Sequence, residues 1–344
     1  MTSSNCCASL AQQITNQKGE DMKHALKSSF VAAGLALLAT TTTADPTKVV
    51  IGGGPYLDIP QLSVAMDQNL WADHNLEAEV IPFRSGRAAF EALLGGQLDL
   101  AFMAEFPAVI GAMREQDFKV IAEMSQYKAT RIIHGGDPEI DTVAELAGKP
   151  VGLTAGTNVH YMLENELAAA GVTVEVVSIG PPDIVPALAR GDIFAGAMFP
   201  SFYAGAKKAL GDKYQEISID SYGTHFIFVA TQKLIDENPD AVRGALAALY
   251  AGEKVVKSDP SASHQSVSNV LGGTLKPADV AAASANYAFN MQLNEAMLDL
   301  MVDEGIWINA RGSIKGEPPT KDSIRPYIDG SFLASIDASR VTLN

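Results

Sequence analysis

Residues 48–52 (KVVIG) form a short apolar run that stops at Gly52-Gly53-Gly54-Pro55, the pattern of a strand buried on both faces. Within 59–73, Leu62, Ala65, Met66 and Leu70 recur at helical spacing, and residues 76–83 (LEAEVIPF) alternate as a returning strand. The order then repeats. Residues 88–94 read as helix, Gly95-Gly96 ends it, and 98–103 is apolar again. Strand and helix in strict alternation predict a parallel sheet with right-handed crossovers.

A second series follows the same order. Residues 150–153 (PVGL) read as strand, 158–170 as helix closed by Gly171, 172–179 as strand, 184–189 as helix and 193–198 as strand. The two series also echo each other in sequence: ALLGGQLDLAFM from Ala92 aligns with ALARGDIFAGAM from Ala187, 95 positions later. Two similar α/β units in one chain predict two lobes with central, mainly parallel sheets and a ligand cleft between them. The repeat order places one lobe at 45–133 plus 226–344 and the other at 134–225, with crossings at 131–136 and 224–229. Asn238-Pro239 opens a long Ala-rich helix to about Val256; more helices follow to Gly305, and a polar tail closes the chain.

Composition changes this picture at the front of the chain. Residues 22–44 (MKHALKSSFVAAGLALLATTTTA) have a basic start, a short apolar core and a small-residue cleavage site, the layout of a secretory signal peptide too short to span a bilayer. Residues 1–21 then read as a leader upstream of the true start, and Cys6 and Cys7 both fall in it. The mature chain from Asp45 is expected to be exported to a periplasm, without disulfide or thiol chemistry. Lys18, Lys23 and Lys27 outnumber Glu20 and Asp21 by one, so processing takes the formal charge from -15 to -16. That charge argues against nucleic acid or anionic membrane as partner, and it requires any anion site to be local.

Ligands of open parallel sheets bind beyond the carboxyl ends of the strands. The predicted tips are Gly54-Pro55-Tyr56, Arg84-Ser85-Gly86-Arg87, Glu105-Phe106, Thr154 to Asn158, and Phe199-Pro200. Ser85-Gly86 and Gly156-Thr157 immediately precede helices, whose free N–H groups favour anions. Arg87 would add a positive charge there and His160 a donor, while Ser85 and Thr157 are also good N-caps without any ligand. Glu105 at a strand tip would receive an ammonium or amide N–H of a ligand, or else pair with Arg87 or Arg131. Tyr56, Phe106, Phe199, Tyr203 and Tyr222 could wall a small solute. No G-x-G-x-x-G, G-x-S-x-G, P-loop or H-E-x-x-H is present, and the histidines lack metal-ligand spacing, so neither enzyme nor cofactor is expected.

Four segments, 49–86, 91–112, 141–172 and 187–206, together resemble the solute-binding proteins of ABC importers in the nitrate, sulfonate and taurine class, which also takes in binders of thiamine pyrimidine precursors. ELAGKPVGLTAGT carries the resemblance most strongly. It implies a type II periplasmic binding fold and a receptor, usually monomeric, that hands a small polar solute to an inner-membrane permease. Carried over by position, it marks Gly54, Pro55, Tyr56, Ser85, Gly86, Glu105, Phe106, Thr154, Gly156, Thr157, Asn158, Phe199 and Pro200. Phe194 departs from the acidic residue usual at the equivalent of Asp99. The related enzymes of thiamine-pyrimidine synthesis carry a cysteine-rich motif that the mature chain lacks. The expected solute is a sulfonate or an aminosulfonate such as taurine. The alternatives are a thiamine pyrimidine precursor, nitrate, or a periplasmic sensor role for the same ligands.

Overall fold

The computed structural model describes residues 45–53 and 57–343. The expected leader, the expected export signal and the Gly54-Pro55-Tyr56 tip lie outside them. Strand β1 (Thr47–Gly52) leads through α1 (Pro60–Asp67) to β2 (Leu76–Ile81), and α2 (Gly86–Leu94) leads to β3 (Leu100–Ala104). β1 lies parallel to β2 and β3, as the alternating pattern predicts. Val49, Ile51, Leu62, Phe90 and Leu100 are buried between this sheet and its helices. α1 stops short of the predicted residue 73, because Asn69 turns into the left-handed region at φ 52° and Ala72–His74 forms a separate 3₁₀ turn.

The chain continues through α3 (Phe106–Met113) into β4 (Phe118–Tyr127) and β5 (Thr130–His134). The second series follows: β6 (Pro150–Leu153), α4 (Asn158–Ala170), β7 (Glu175–Ser178), α5 (Pro181–Arg190), β8 (Ala195–Ala197), α6 (Tyr203–Leu210) and β9 (Gln215–Ile219). β10 (Thr224–Thr231) returns to the first sheet. After it come α7 (Gln232–Glu237), α8 (Pro239–Ser258), α9 (Pro260–Val270), α10 (Pro277–Ser284), β11 (Tyr287–Ala288), β12 (Leu293–Asn294) and α11 (Glu295–Ala310). The predicted start of α8 has its cause in Asn238, whose Oδ1 accepts the Ala241 amide at 3.1 Å while Pro239 fills the first turn.

The sheets run β11-β4-β10-β3-β1-β2 and β7-β6-β8-β5-β9. Each combines a parallel part, built by the predicted strands, with antiparallel return strands, β4 and β10 in the first and β5 and β9 in the second. The passages between sheets are therefore 128–129 and 220–223. The crossings expected at 131–136 and 224–229 are instead largely strand, because both apolar runs find partners inside a sheet.

The repeat seen in sequence is also geometric. Asp99 N–H donates to the Val50 carbonyl at 2.9 Å, and Phe194 N–H, 95 positions on, donates to the Pro150 carbonyl at 2.8 Å. Gly96 and Gly191 both close their helices at positive φ, 73° and 78°. The Phe194 departure has a local explanation. The Asp99 carboxylate accepts the Val50 amide at 2.8 Å, whereas the Phe194 ring stacks on His134 and lies under the Lys149 ammonium, 4.2 Å from its centroid. Among the described residues no helix is long and apolar enough to cross a membrane.

Candidate ligand-binding site

The carboxyl ends of the parallel strands of both sheets face one cavity of about 210 Å³. From the first lobe come Asp58, Phe83 to Arg87, Phe102 to Ala104, Pro107 and Phe226; from the second come Thr157, Asn158, Pro182, Phe199, Ser201 and Phe202. Of the residues marked from sequence, the fold thus brings Ser85, Gly86, Arg87, Thr157, Asn158 and Phe199 together. Five phenylalanines make the wall largely apolar.

The two helix starts differ from each other. Ser85 caps α2, its Oγ accepting the Ala88 amide at 3.2 Å, and Gly86 lets the helix press on β3, since a Cβ there would sit 2.5 Å from that of Met103. Thr157 does not cap α4. Its hydroxyl donates to the Thr154 carbonyl at 2.7 Å, while Asn158 Nδ2 donates to Thr224 Oγ1 at 3.0 Å and ties α4 to β10.

The two arginines around the Ser-Gly turn have separate tasks. Arg87 Nε donates to Glu91 at 2.9 Å and Nη1 to the Ala155 carbonyl at 2.8 Å, so its charge is committed to a bridge between the lobes. Arg84 is exposed at the cavity and has no ion-pair partner among the described residues. Of the two, Arg84 is the one without an ion-pair partner among the described residues, and both line the cavity.

Glu105 neither faces the cavity nor pairs with an arginine. It is fully buried at the start of α3, accepting from the Tyr222 hydroxyl and, at 2.8 Å, from the His225 amide. Burial raises its pKa, opposed by His225 and by its hydrogen bonds. Burial and the neighbouring Glu105 together raise the pKa of Glu304 of α11 well above the usual carboxylate value. His225 Nδ1 meets Glu123 at 3.1 Å; although burial opposes a charge there, Glu123 and Glu105 raise its pKa. These groups join β3, β4, β10 and the passage at 220–223 into one polar network beneath the cavity. Tyr222 belongs to that network and not to the cavity wall.

The other marked residues also turn away. His160 Nδ1 accepts the Gly156 amide at 3.3 Å, and its ring meets Trp307 edge-on at 5.5 Å in a separate depression shared with Phe106 and Arg114. Burial lowers the His160 pKa. Thr154 donates to the Ile179 carbonyl at 3.0 Å, Gly156 lies under Arg87, and Pro200 begins the 3₁₀ turn that presents Ser201 and Phe202.

The sequence reading missed Asp58, which reads there as an ordinary helix-start carboxylate. The cap position is Ile59 and has no side-chain cap bond. Instead Asp58 lines the cavity, and its Oδ1 is buried without a hydrogen-bond partner among the described residues. Burial pushes its carboxyl up to about 7, opposed by a hydrogen bond that the carboxylate accepts from its own backbone amide.

Comparison with known proteins agrees with this architecture. The sequence family described as NMT1/THI5 like matches residues 58–263, more than half of the chain. A Brucella abortus (strain 2308) chain provisionally named a binding protein is 26% identical over 250 residues, covering 68% of this chain and 76% of that one. The alkanesulfonate-binding protein SsuA from Xanthomonas axonopodis pv. citri, solved with MOPS, superposes with a TM-score of 0.70 at 19% identity over 84% of this chain and all of that one. The periplasmic nitrate-binding protein NrtA from Synechocystis PCC 6803 gives 0.70 at 12% identity, over 86% and 89%. With two mixed sheets facing one cleft and a family match across both, the chain belongs to the NMT1/THI5-like family and has the two-lobed periplasmic-binding-protein fold.

Proposed function

We propose that this protein is the periplasmic receptor of an ABC importer, capturing a small organic anion, a sulfonate or an aminosulfonate such as taurine, for an inner-membrane permease. Arg84 carries this reading: a cation with no ion-pair partner among the described residues, beside the Ser85-Gly86 helix start, on a cavity whose wall includes five phenylalanines. A sulfonate would bind the guanidinium and the helix start, while its organic body displaces water from the aromatic wall. Nitrate has no such body, so the wall would go unused. A flat thiamine pyrimidine precursor is the second reading, favoured by the parallel Phe102 and Phe226 rings, 5.7 Å apart.

In this reading the two sheets are the cores of lobes that hinge at 128–129 and 220–223, and residues 22–44 direct export. A thermal-shift panel with alkanesulfonates, taurine, aminopyrimidines, nitrate and sugars tests it. A ligand at a thousandfold excess over Kd stabilises the native state by about 4 kcal/mol. A shift with sulfonates supports the anion reading, and one with aminopyrimidines alone moves the solute class. A protein that responds to sugars alone, or to nothing on the panel, is not this receptor. Permease and ATPase genes beside its gene favour transport over sensing, for which a histidine kinase gene would argue.

A further inference from the structure

We propose that Asp58 selects the solute: its carboxyl receives an N–H donor, an ammonium or a ring amino group, carried by the captured molecule. The inference rests on the cavity being the solute site. Asp58 is held there by its backbone, since its carbonyl accepts the Ser125 hydroxyl of β4. That bond anchors the backbone of residue 58 beside β4 and leaves the carboxyl at the cavity wall. Oδ1 is buried with no partner among the described residues, an arrangement that is costly for a carboxyl unless something completes it. The cavity's polar side chains, Ser85, Thr157 and Asn158 among them, make no hydrogen bond to Oδ1.

Asp58 and Arg84 line the same cavity without forming an ion pair with each other. A paired Asp58 and Arg84 would neutralise each other and leave the cavity indifferent to charged groups. Kept apart, they present one acceptor and one cation to whatever enters. A solute with an acidic group and an N–H donor on an apolar body satisfies both. Glu105, the carboxylate expected in this role, is already bound to Tyr222 and His225.

The test uses matched solutes on the full chain by isothermal titration: 3-aminobenzenesulfonate against benzenesulfonate, and 4-aminopyrimidine against pyrimidine. The first pair carries the donor on a sulfonate and the second on a bare ring, so together they separate the two sources of the amino group. In the wild type, at least one amino compound should bind about tenfold more tightly than its partner, the effect of one hydrogen bond to a charged group. Asp58→Asn should cut that preference to about twofold, the ratio within each pair being the readout whatever happens to the affinity of either compound alone. A melting curve on Asp58→Asn shows that the variant is folded, and Ala104→Trp, which fills the cavity, should abolish all binding. Equal affinity within each pair, or a preference that survives Asp58→Asn, overturns the donor role and leaves the receptor reading intact. Binding that persists in Ala104→Trp, or binding of none of the four compounds, sinks the cavity as solute site and the Asp58 role with it.

Discussion

Arg87 reaches from helix α2 of the first lobe to the Ala155 carbonyl of the second, with Nη1 2.8 Å from the oxygen. The approach is possible because residue 156 is glycine: a Cβ there would lie 2.6 Å from Nη1, and the backbone sits at φ +71°. The guanidinium expected to hold ligand thus spends one of its donors on a bond between the lobes.

Loss of this bridge should show in closure more than in stability. Arg87 is largely exposed, so Arg87→Ala should cost less than about 1 kcal/mol in chemical denaturation. Small-angle scattering of the unliganded variant should report a larger radius of gyration than the wild type. An unchanged radius would show that Arg87 does not hold the lobes together.

Arg84→Ala should do the opposite. Melting should be unchanged, since the side chain is exposed and makes no ion pair among the described residues. Affinity for sulfonates should fall about tenfold, with a weaker dependence on salt, as titration at two ionic strengths would record. Equal affinity in Arg84→Ala would remove the anion site from this end of the cavity.

The network around Glu105 is structural. Tyr222→Phe removes one of its buried donors and should cost about 2 kcal/mol in urea unfolding. The same variant should keep the relative affinities for amino and des-amino solutes, the property assigned to Asp58. A change in that ratio would return Glu105 and Tyr222 to the binding site.

Unliganded stability should fall as pH rises toward neutrality. Asp58 titrates near 3.8 in the unfolded chain and at about 7 in the folded one. Its contribution is complete below 3.8 and lost as pH climbs through about 7. Tyr287 faces the same carboxyl, and Arg84 shares its cavity. The raised pKa of His225 acts in the same direction, its contribution being lost as pH rises through its folded value. Melting temperatures from about pH 5 to about pH 8 should therefore decline, and Asp58→Asn should flatten the curve and melt higher than wild type at the upper end. Parallel curves for the two proteins would contradict the buried charge.

Much of this protein was legible before any coordinates. Apolar runs, helical spacing and glycine stops set the two strand–helix series, because those patterns report which face of an element is buried and depend on neighbours in sequence. The 95-residue echo, a helix end, a glycine stop and a strand in each series, has its counterpart in matching backbone bonds at Asp99 and Phe194. Loop positions after parallel strands foretold that Ser85, Thr157, Asn158 and Phe199 would meet, since the strands' carboxyl ends share one edge. The tertiary structure alone decided which charges are free. Glu105 is held by Tyr222, 117 residues away, and Arg87 bonds to Ala155, 68 away, while still lining the cavity. Asp58 and Arg84 look ordinary in sequence and matter because nothing described pairs with them. A side chain's role depends on its partners, and partners this distant come together only when the chain has folded.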